Sequence, residues 1–443
     1  MNKKVLILGA GLVAKPGVAY LLGRPGISVT VASRTVSKAE AMVAGSANGS
    51  ARAINIEDRS QVAGLIAEHD IVISLLPWIH HLKVAELCLE LRRHMVTTSY
   101  VSEGMKKLDR EAQEKDLLFL NEIGVDPGID HMTAMEIIDQ VHRDGGRVEH
   151  FYSYCGGLPA PQHNDNPFGY KFSWSPRGVV LASRNPAQYL ENGRVVKTEG
   201  RDLFLDCLQE EIEGLGRFEV YPNRDSLPYQ ELYGIPEALT VKRGTYRNIG
   251  WCGTFKKLVD LGYIDDNPKP ELAGKTYRQI MTDLVGCDPQ ADLRAETAKK
   301  LGLAENDPVI ERFAWLGLFA EEKASGTDTL LDVLSELLQR KLFFRDGEQD
   351  MIILRHHFVV ANAAGKRETI TSTLIDFGLP HGDTSMARTV SLPMAIATDL
   401  LANDKISRRG VLIPLYQDVY QPVLAELARL GIAMKEERRP LKD

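Results

Sequence analysis

The residues with the most readable chemistry stand near the start of the sequence. There the apolar run 5–8 enters Gly9-Ala10-Gly11-Leu12-Val13-Ala14. Two glycines at this spacing let the backbone turn sharply and approach a pyrophosphate at a helix N-terminus, while Ala14 lets that helix pack close to the preceding strand. A second apolar run, 29–32, ends in Ser33-Arg34-Thr35 with no carboxylate to hold a ribose 2′-hydroxyl. Ser33 and Arg34 suit a 2′-phosphate, so the expected cofactor is NADP rather than NAD.

Ligands of open parallel sheets sit outside the C-terminal ends of the strands, so the polar residues after each later apolar run are the next candidates. They are Ser74, then Thr97-Thr98-Ser99-Tyr100, then the stretch from Asn121 and Glu122 through Asp126 to Asp130 and His131. Asp126, in the turn Gly124-Val125-Asp126-Pro127-Gly128, is placed to hold a substrate ammonium or shuttle a proton. It also reads as the cap of a helix starting near Pro127, a role compatible with the first. The Tyr100 phenol is expected in the same crevice, its alternative being a packing residue with a wet hydroxyl. His131 reads as a structural hydrogen-bonder. Cys155, before Gly156-Gly157, places a thiol beside closely approaching backbone, although an isolated strand cysteine is most often buried filler. Arg224 sits in the turn 221–226, and Arg243 and Arg247 bracket Gly244-Thr245-Tyr246. Guanidinium groups beside turns and hydroxyls suit carboxylates held in bidentate fashion, with surface salt bridges as the alternative. Lys171 and Trp174 complete a polar-aromatic segment able to close over a nicotinamide.

These candidates need elements to position them. At 443 residues the chain is long enough for two or three domains. Its 44% hydrophobic and 26% charged residues are ordinary for a globular enzyme, and a net charge of −7 without like-charge blocks argues against nucleic acid or an anionic membrane as partner. No apolar stretch has the length of a membrane span, and Met1-Asn2-Lys3-Lys4 leads straight into a strand, so the expected address is cytoplasmic. The five cysteines are widely spaced with no CxxC pair. Neither a disulfide framework nor a metal site is expected, and a functional cysteine would act alone. Strands at 5–8, 29–32, 52–56, 70–74, 95–98 and 117–121, with helices such as 61–68 and 106–115 between them, predict a doubly wound parallel sheet. After Gly128 the longer alternating runs 147–155, 218–221 and 238–243 predict a mixed or antiparallel sheet. The stretch 254–342 reads as helical, 351–361 and 368–377 as a hairpin around Asn362-Ala363-Ala364-Gly365, and 393–401 and 419–430 as late helices that cap the first domain.

Taken together, these segments resemble the saccharopine reductase family, the saccharopine dehydrogenases that form L-glutamate, over nearly the whole chain. The likeness runs through residues 9–16, 31–35, 70–77, 97–102, 121–131, 153–161, 166–178, 221–226, 244–247, 313–319 and 393–398. It implies a dimer of three-domain subunits: a Rossmann NADP-binding domain at 1–127 completed by 386–443, an α/β substrate and dimerisation domain with a mixed sheet at 128–253 and 343–385, and a helical insertion at 254–342. It places NADP contacts on Gly9, Gly11, Leu12, Val13, Ala14, Lys15, Ser33, Arg34, Thr35, Ile56, Leu76, Thr98, Ser99, Val125, Asp126, Pro127, Trp174 and Ser175. Saccharopine contacts fall on Ser99, Tyr100, Asp126, Arg224, Thr245, Tyr246 and Arg247, and the family also has a cysteine at the position of Cys155. The implied reaction is reversible oxidation of saccharopine to L-glutamate and 2-aminoadipate 6-semialdehyde, with Asp126, Tyr100 and Cys155 as the catalytic set. Two stretches depart from the family pattern, Trp78-Ile79-His80-His81-Leu82-Lys83 and Arg247-Asn248-Ile249. The alternatives are a related imine reductase making carboxylated polyamines, and a nicotinamide-binding regulatory protein.

Overall fold

A computed structural model describes residues 2–325 and 328–441 of the chain. They divide into two compact units, one formed by Met1–Val148 with Val360–Asp443 and the other by Glu149–Val359.

The first unit is built on a seven-stranded sheet whose paired neighbours all run parallel. Its first six strands in chain order are β1 (Lys3–Leu8), β2 (Ile27–Ser33), β3 (Gly49–Ala53), β4 (Ile71–Ser74), β5 (His94–Thr97) and β6 (Leu118–Leu120). In space they lie in the order β6-β5-β4-β1-β2-β3, and Gly410–Leu412 from the tail joins the β6 edge. This is the expected Rossmann sheet, enlarged by one strand. Val5, Leu6, Ile7 and Leu8 are all buried, as the central strand of a sheet covered on both faces requires. The third strand is Gly49–Ala53 rather than the expected 52–56. It is an edge strand of four small residues and Arg52, paired among the described residues only with β2, so it lacks the apolar run that marks its neighbours. The expected helix at 106–115 is likewise two short ones, Glu103–Lys106 and Asp109–Glu114.

Register brings the functional loops to one edge. Leu8 stands opposite Ala32 in β2 and Ser74 in β4, so Gly9, Ser33 and Leu75 leave the sheet side by side. The helix Lys15–Leu22 follows, with proline in its first turn where an N–H has no intrahelical partner. The long tail helix Ser385–Ala402 packs against it so closely that a Cβ on Gly17 would lie 2.9 Å from the Ser391 carbonyl oxygen. The antiparallel pair Arg367–Phe377 and Lys435–Pro440 also belongs to this unit.

The second unit contains β7 (Arg147–Pro159, entering from the first unit), β8 (Ala187–Glu191), β9 (Arg194–Thr198), β10 (Leu208–Ile212), β11 (Gly216–Pro222), β12 (Thr240–Asn248) and β13 (Asp350–Ala361). The spatial order β10-β11-β12-β7-β13, antiparallel from β10 to β12 and parallel between β12 and β7, makes the expected mixed sheet. Helices Trp251–Leu261, Tyr277–Val285, Leu293–Leu301, Pro308–Leu316 and Leu330–Lys341 fill the interval between β12 and β13. Their apolar stripes join residues of the mixed sheet in one core, in which Trp251, Phe255, Leu258 and Phe313 are almost completely enclosed.

Candidate active site

In the first unit the glycine loop meets the requirements of a phosphate cradle. Gly9 has φ +114°, and a Cβ there would lie 2.9 Å from the Leu75 carbonyl oxygen, so only glycine lets the loop run this close to the end of β4. Gly11 is exposed, and a Cβ built on it would meet nothing within 4 Å, leaving open space over the start of the helix. Leu12 and Lys15 are exposed, Val13 is half-buried, and Ala14 is buried where it joins helix to sheet. At the end of β2 the Thr35 N–H donates to Ser33 Oγ at 3.3 Å, while Arg34 is exposed with no carboxylate paired to it among the described residues. Ile56 and Leu76 are half-buried against the core of the parallel sheet.

The ends of β5 and β6 gather the polar candidates. Tyr100 Oη donates to Asp126 Oδ1 at 3.0 Å, and both residues are half-buried. The loop holding Asp126 is tied by Gly124 N–H to Pro127 O and Ile129 N–H to Gly124 O, with a cis Asp126–Pro127 bond. Thr98 lies against this loop, its Cβ 3.2 Å from where a side chain on Gly124 would start. Asp126 is not the cap of the following helix. That helix runs Ile129–Arg143 from Gly128, and Asp130 Oδ1 accepts from the N–H groups of Gly128 at 2.6 Å and His131 at 2.8 Å. The acidic side chain two residues after the glycine reaches back, which leaves Asp126 directed at Tyr100. His131 is the expected structural hydrogen-bonder: its Nε2 lies 2.8 Å from Glu122 Oε2, and both groups are buried.

In the second unit, strand register sorts the candidates by face. Cys155 of β7 stands opposite Thr245 of β12, which stands opposite Tyr221 of β11. Arg247, two residues along β12, shares that face. Its guanidinium carbon lies 5.0, 5.8 and 5.2 Å from the ring centres of Tyr170, Tyr221 and Trp251. It is 4% exposed, its Nη1 donates to the Tyr246 carbonyl, and its Nε has no partner among the described residues. A buried charge without a counter-ion is costly, and aromatic faces offset only part of that cost. Trp251 Nε1 in the same enclosure is also without a partner. Tyr246 occupies the opposite face, fully buried, with Oη donating to Glu210 Oε2 at 2.5 Å. Arg224 is exposed at φ +57°, an uncommon backbone for a residue with a Cβ. Arg243, by contrast, is buried on Tyr229, to whose Oη it donates at 2.8 Å. Lys171 is likewise committed, to Asp165 at 2.8 Å and Glu348 at 2.7 Å. Trp174 is half-buried, and Ser175 Oγ caps the helix Pro176–Ala182.

The family model described as the saccharopine dehydrogenase NADP binding domain matches residues 5–120, and that of the saccharopine dehydrogenase C-terminal domain matches residues 124–432. The chain belongs to the saccharopine dehydrogenase family. The saccharopine dehydrogenase [NADP(+), L-glutamate-forming] of Schizosaccharomyces pombe is 40% identical over 98% of each chain, and that of Saccharomyces cerevisiae 39% over 99% of each. The mitochondrial alpha-aminoadipic semialdehyde synthase of Bos taurus is 38% identical over 97% of this chain but only 47% of its own length. The structure of the apo, histidine-tagged Saccharomyces cerevisiae saccharopine dehydrogenase (L-Glu forming) superimposes with a TM-score of 0.90 at 39% identity, covering 99% of this chain and all of that one. The resemblance stated from the sequence is therefore correct.

This member of the saccharopine dehydrogenase family holds functional-site features that sequence reasoning passed over. His81, read only as part of a variant stretch, bridges Ser74 Oγ through Nδ1 and Ser99 Oγ through Nε2, both at 2.8 Å. Burial pushes its pKa down to about 4, so the ring is neutral at pH 7 and gives one hydroxyl a donor and the other an acceptor. Serines at the ends of two adjacent strands around a histidine were the available signal. Two cysteines remote in sequence also meet, which their spacing did not show. Cys207 and Cys252 bring their Sγ atoms to 3.0 Å, and with Glu219 they form a group of possible metal-ligand types.

Proposed function

We propose that this protein is an NADP-dependent oxidoreductase acting on the CH–NH group of L-saccharopine, which it cleaves reversibly with water to L-glutamate and L-2-aminoadipate 6-semialdehyde. The observation that carries the reading is Arg247, a buried and unpaired guanidinium in an aromatic enclosure, as a polycarboxylate substrate requires. A site of the polyamine-forming type, with a diamine as one partner, would not need the pair Arg224 and Arg247, and the relatives named above do not favour that alternative.

The residues fit the cofactor. Gly9 and Gly11 clear backbone and space at the helix start for a pyrophosphate, flanked by Leu12, Val13, Ala14 and Lys15, and Arg34 with Ser33 and Thr35 faces a 2′-phosphate. Ile56, Leu76, Thr98, Ser99, Val125, Pro127, Trp174 and Ser175 complete the contacts in this reading. When bound, the nicotinamide supplies the hydride acceptor for the carbon bearing the secondary amine. Asp126 takes a proton from that amine and Tyr100 holds Asp126 by its hydrogen bond, the pair orienting the nitrogen and relaying protons as water adds and the C–N bond breaks. Arg247 and Arg224 hold substrate carboxylates, with Thr245 and Tyr246 flanking Arg247. Cys155 closes the pocket on the face it shares with Thr245. His81 fixes the Ser99 hydroxyl.

The same reading includes a homodimer and the three-domain division given above. A cytoplasmic address is supported by five cysteines that are all free thiols. Incubating pure protein with L-saccharopine and NADP+ tests the activity. NADPH and L-glutamate are expected in equal amounts, and absence of both in the presence of bound coenzyme would favour the regulatory alternative.

A further inference from the structure

Cys207 lies in the turn before β10 and is half-buried, whereas Cys252 lies in the first turn of the helix Trp251–Leu261 and is buried. The two Sγ atoms are 3.0 Å apart. Carbon atoms in van der Waals contact sit about 3.5–4.0 Å apart, and sulfur is the larger atom. Glu219 fixes this arrangement: its two carboxylate oxygens accept from the N–H groups of Gly250 at 2.9 Å and Cys252 at 2.8 Å, anchoring the helix start that carries the second thiol. Hydrogen bonding to Cys207, burial and the Glu219 carboxylate together push the Cys252 thiol up. The more accessible Cys207 is thus the sulfur that meets an oxidant first.

We propose that Cys207 and Cys252 form a redox-sensitive dithiol that closes to a disulfide under hydroperoxide. A peroxide oxygen is transferred to the Cys207 sulfur, giving a sulfenic acid while the O–O bond is cleaved and the rest of the peroxide leaves as water or an alcohol. The Cys252 sulfur then attacks the Cys207 sulfur, the S–O bond breaks, and the departing hydroxide leaves as water with the Cys252 proton. Two electrons pass from the two thiols to the peroxide. A bound metal ion is the competing use of the same donors, which with Glu219 lie within 4.8 Å of one another. Geometry favours the disulfide. Each Glu219 oxygen already accepts from one N–H at the helix start, and two thiolates each about 2.3 Å from a tetrahedral zinc ion sit wider apart than these sulfurs.

The bond has a route to the substrate site. Trp251 precedes Cys252, stacks on Phe255 with ring centres 3.9 Å apart, and forms one wall around Arg247. Drawing the sulfurs to bonding distance moves that helix turn and its tryptophan. This consequence rests on the reading of Arg247 as a carboxylate site, whereas formation of the disulfide does not.

Treating the full-length protein with a few equivalents of hydrogen peroxide, alkylating, digesting and mapping by mass spectrometry tests the dithiol directly. The expected result is a Cys207–Cys252 cross-linked peptide, loss of two thiols reversed by dithiothreitol, and a several-fold rise in KM for saccharopine with KM for NADP+ unchanged. Cys207→Ser abolishes the cross-link and holds the saccharopine KM steady under peroxide. Sulfinic acid on Cys207 beside an intact Cys252 thiol would overturn the proposal, as would stoichiometric zinc binding that blocks the cross-link and is lost in Cys207→Ser. A cross-link that leaves the saccharopine KM unchanged upholds the dithiol and overturns its coupling to Arg247.

Discussion

Arg34, just past the end of β2, and Arg247, near the end of β12, are both guanidinium groups without a paired carboxylate among the described residues, yet they live in opposite surroundings. Arg34 is in water, where keeping an unpaired charge costs little and where an incoming phosphate is screened by solvent and salt. Arg247 is 4% exposed among three aromatic rings, where an unpaired charge carries a desolvation cost that a bound carboxylate would repay. In the proposed function the first device adjusts the choice between two coenzymes and the second holds the substrate carboxylate. On that reading anion recognition has two strengths in one chain, set by burial rather than by residue type.

Replacing Arg247 gives the largest expected effect. Arg247→Met should lower kcat/KM for saccharopine by roughly 100-fold or more, since a buried charge pair that loses one partner costs about 3 kcal/mol or more. Steady-state kinetics at saturating NADP+ would read this, and Arg247→Lys should rescue it only in part because the planar fork is lost. In Asp126→Asn, kcat should fall by about 100-fold with NADPH affinity nearly unchanged, measured by turnover and by coenzyme fluorescence titration. Equal losses in both would make Asp126 a structural residue. A third expectation concerns His81, whose folded pKa of about 4 lies below the ordinary 6.5. The unfolded chain then binds a proton that the folded chain refuses, so the stability contributed by this buried ring is full above pH 6.5 and is lost as pH falls toward 4. Between pH 7 and pH 5 the loss should be about 2 kcal/mol, and urea unfolding at the two pH values should show it shrinking in His81→Asn. The smallest effect is Arg34→Ala, expected to reduce the preference for NADP+ over NAD+ by roughly tenfold through loss of one charge-assisted contact, with rates on NAD+ unaffected.

Much of the first unit was legible because its requirements are local. A glycine at φ +114° beside another strand end, a proline in a first helical turn and a run of buried aliphatics all write themselves into adjacent residues. The tail strand Gly410–Leu412 and the small-residue edge strand Gly49–Ala53 were missed or displaced because each derives its place from a neighbour, not from its own composition. The second unit was harder for the same reason. Arg247 was singled out, but its burial was not, since the rings around it come from Tyr170, Tyr221 and Trp251, three separate segments. Arg243 looks equivalent in sequence and was separated from it only by Tyr229. His81 and the Cys207–Cys252 pair show the same limit, since side chains remote in sequence acquire meaning by meeting. Asp130 taking the backbone contacts expected of Asp126 was readable in principle, because an acidic residue two places after a glycine reaches back to its N–H.

The division of labour between the two arginines is tested most directly by a double-mutant cycle of Arg34→Ala and Arg247→Met, with kcat/KM determined for saccharopine and for NADP+ in all four proteins. Each replacement is expected to lower only its own ligand's constant, and each loss to be the same in the double variant as in the single one within about 0.5 kcal/mol. An Arg247 variant that binds saccharopine normally but loses NADP+ would contradict it.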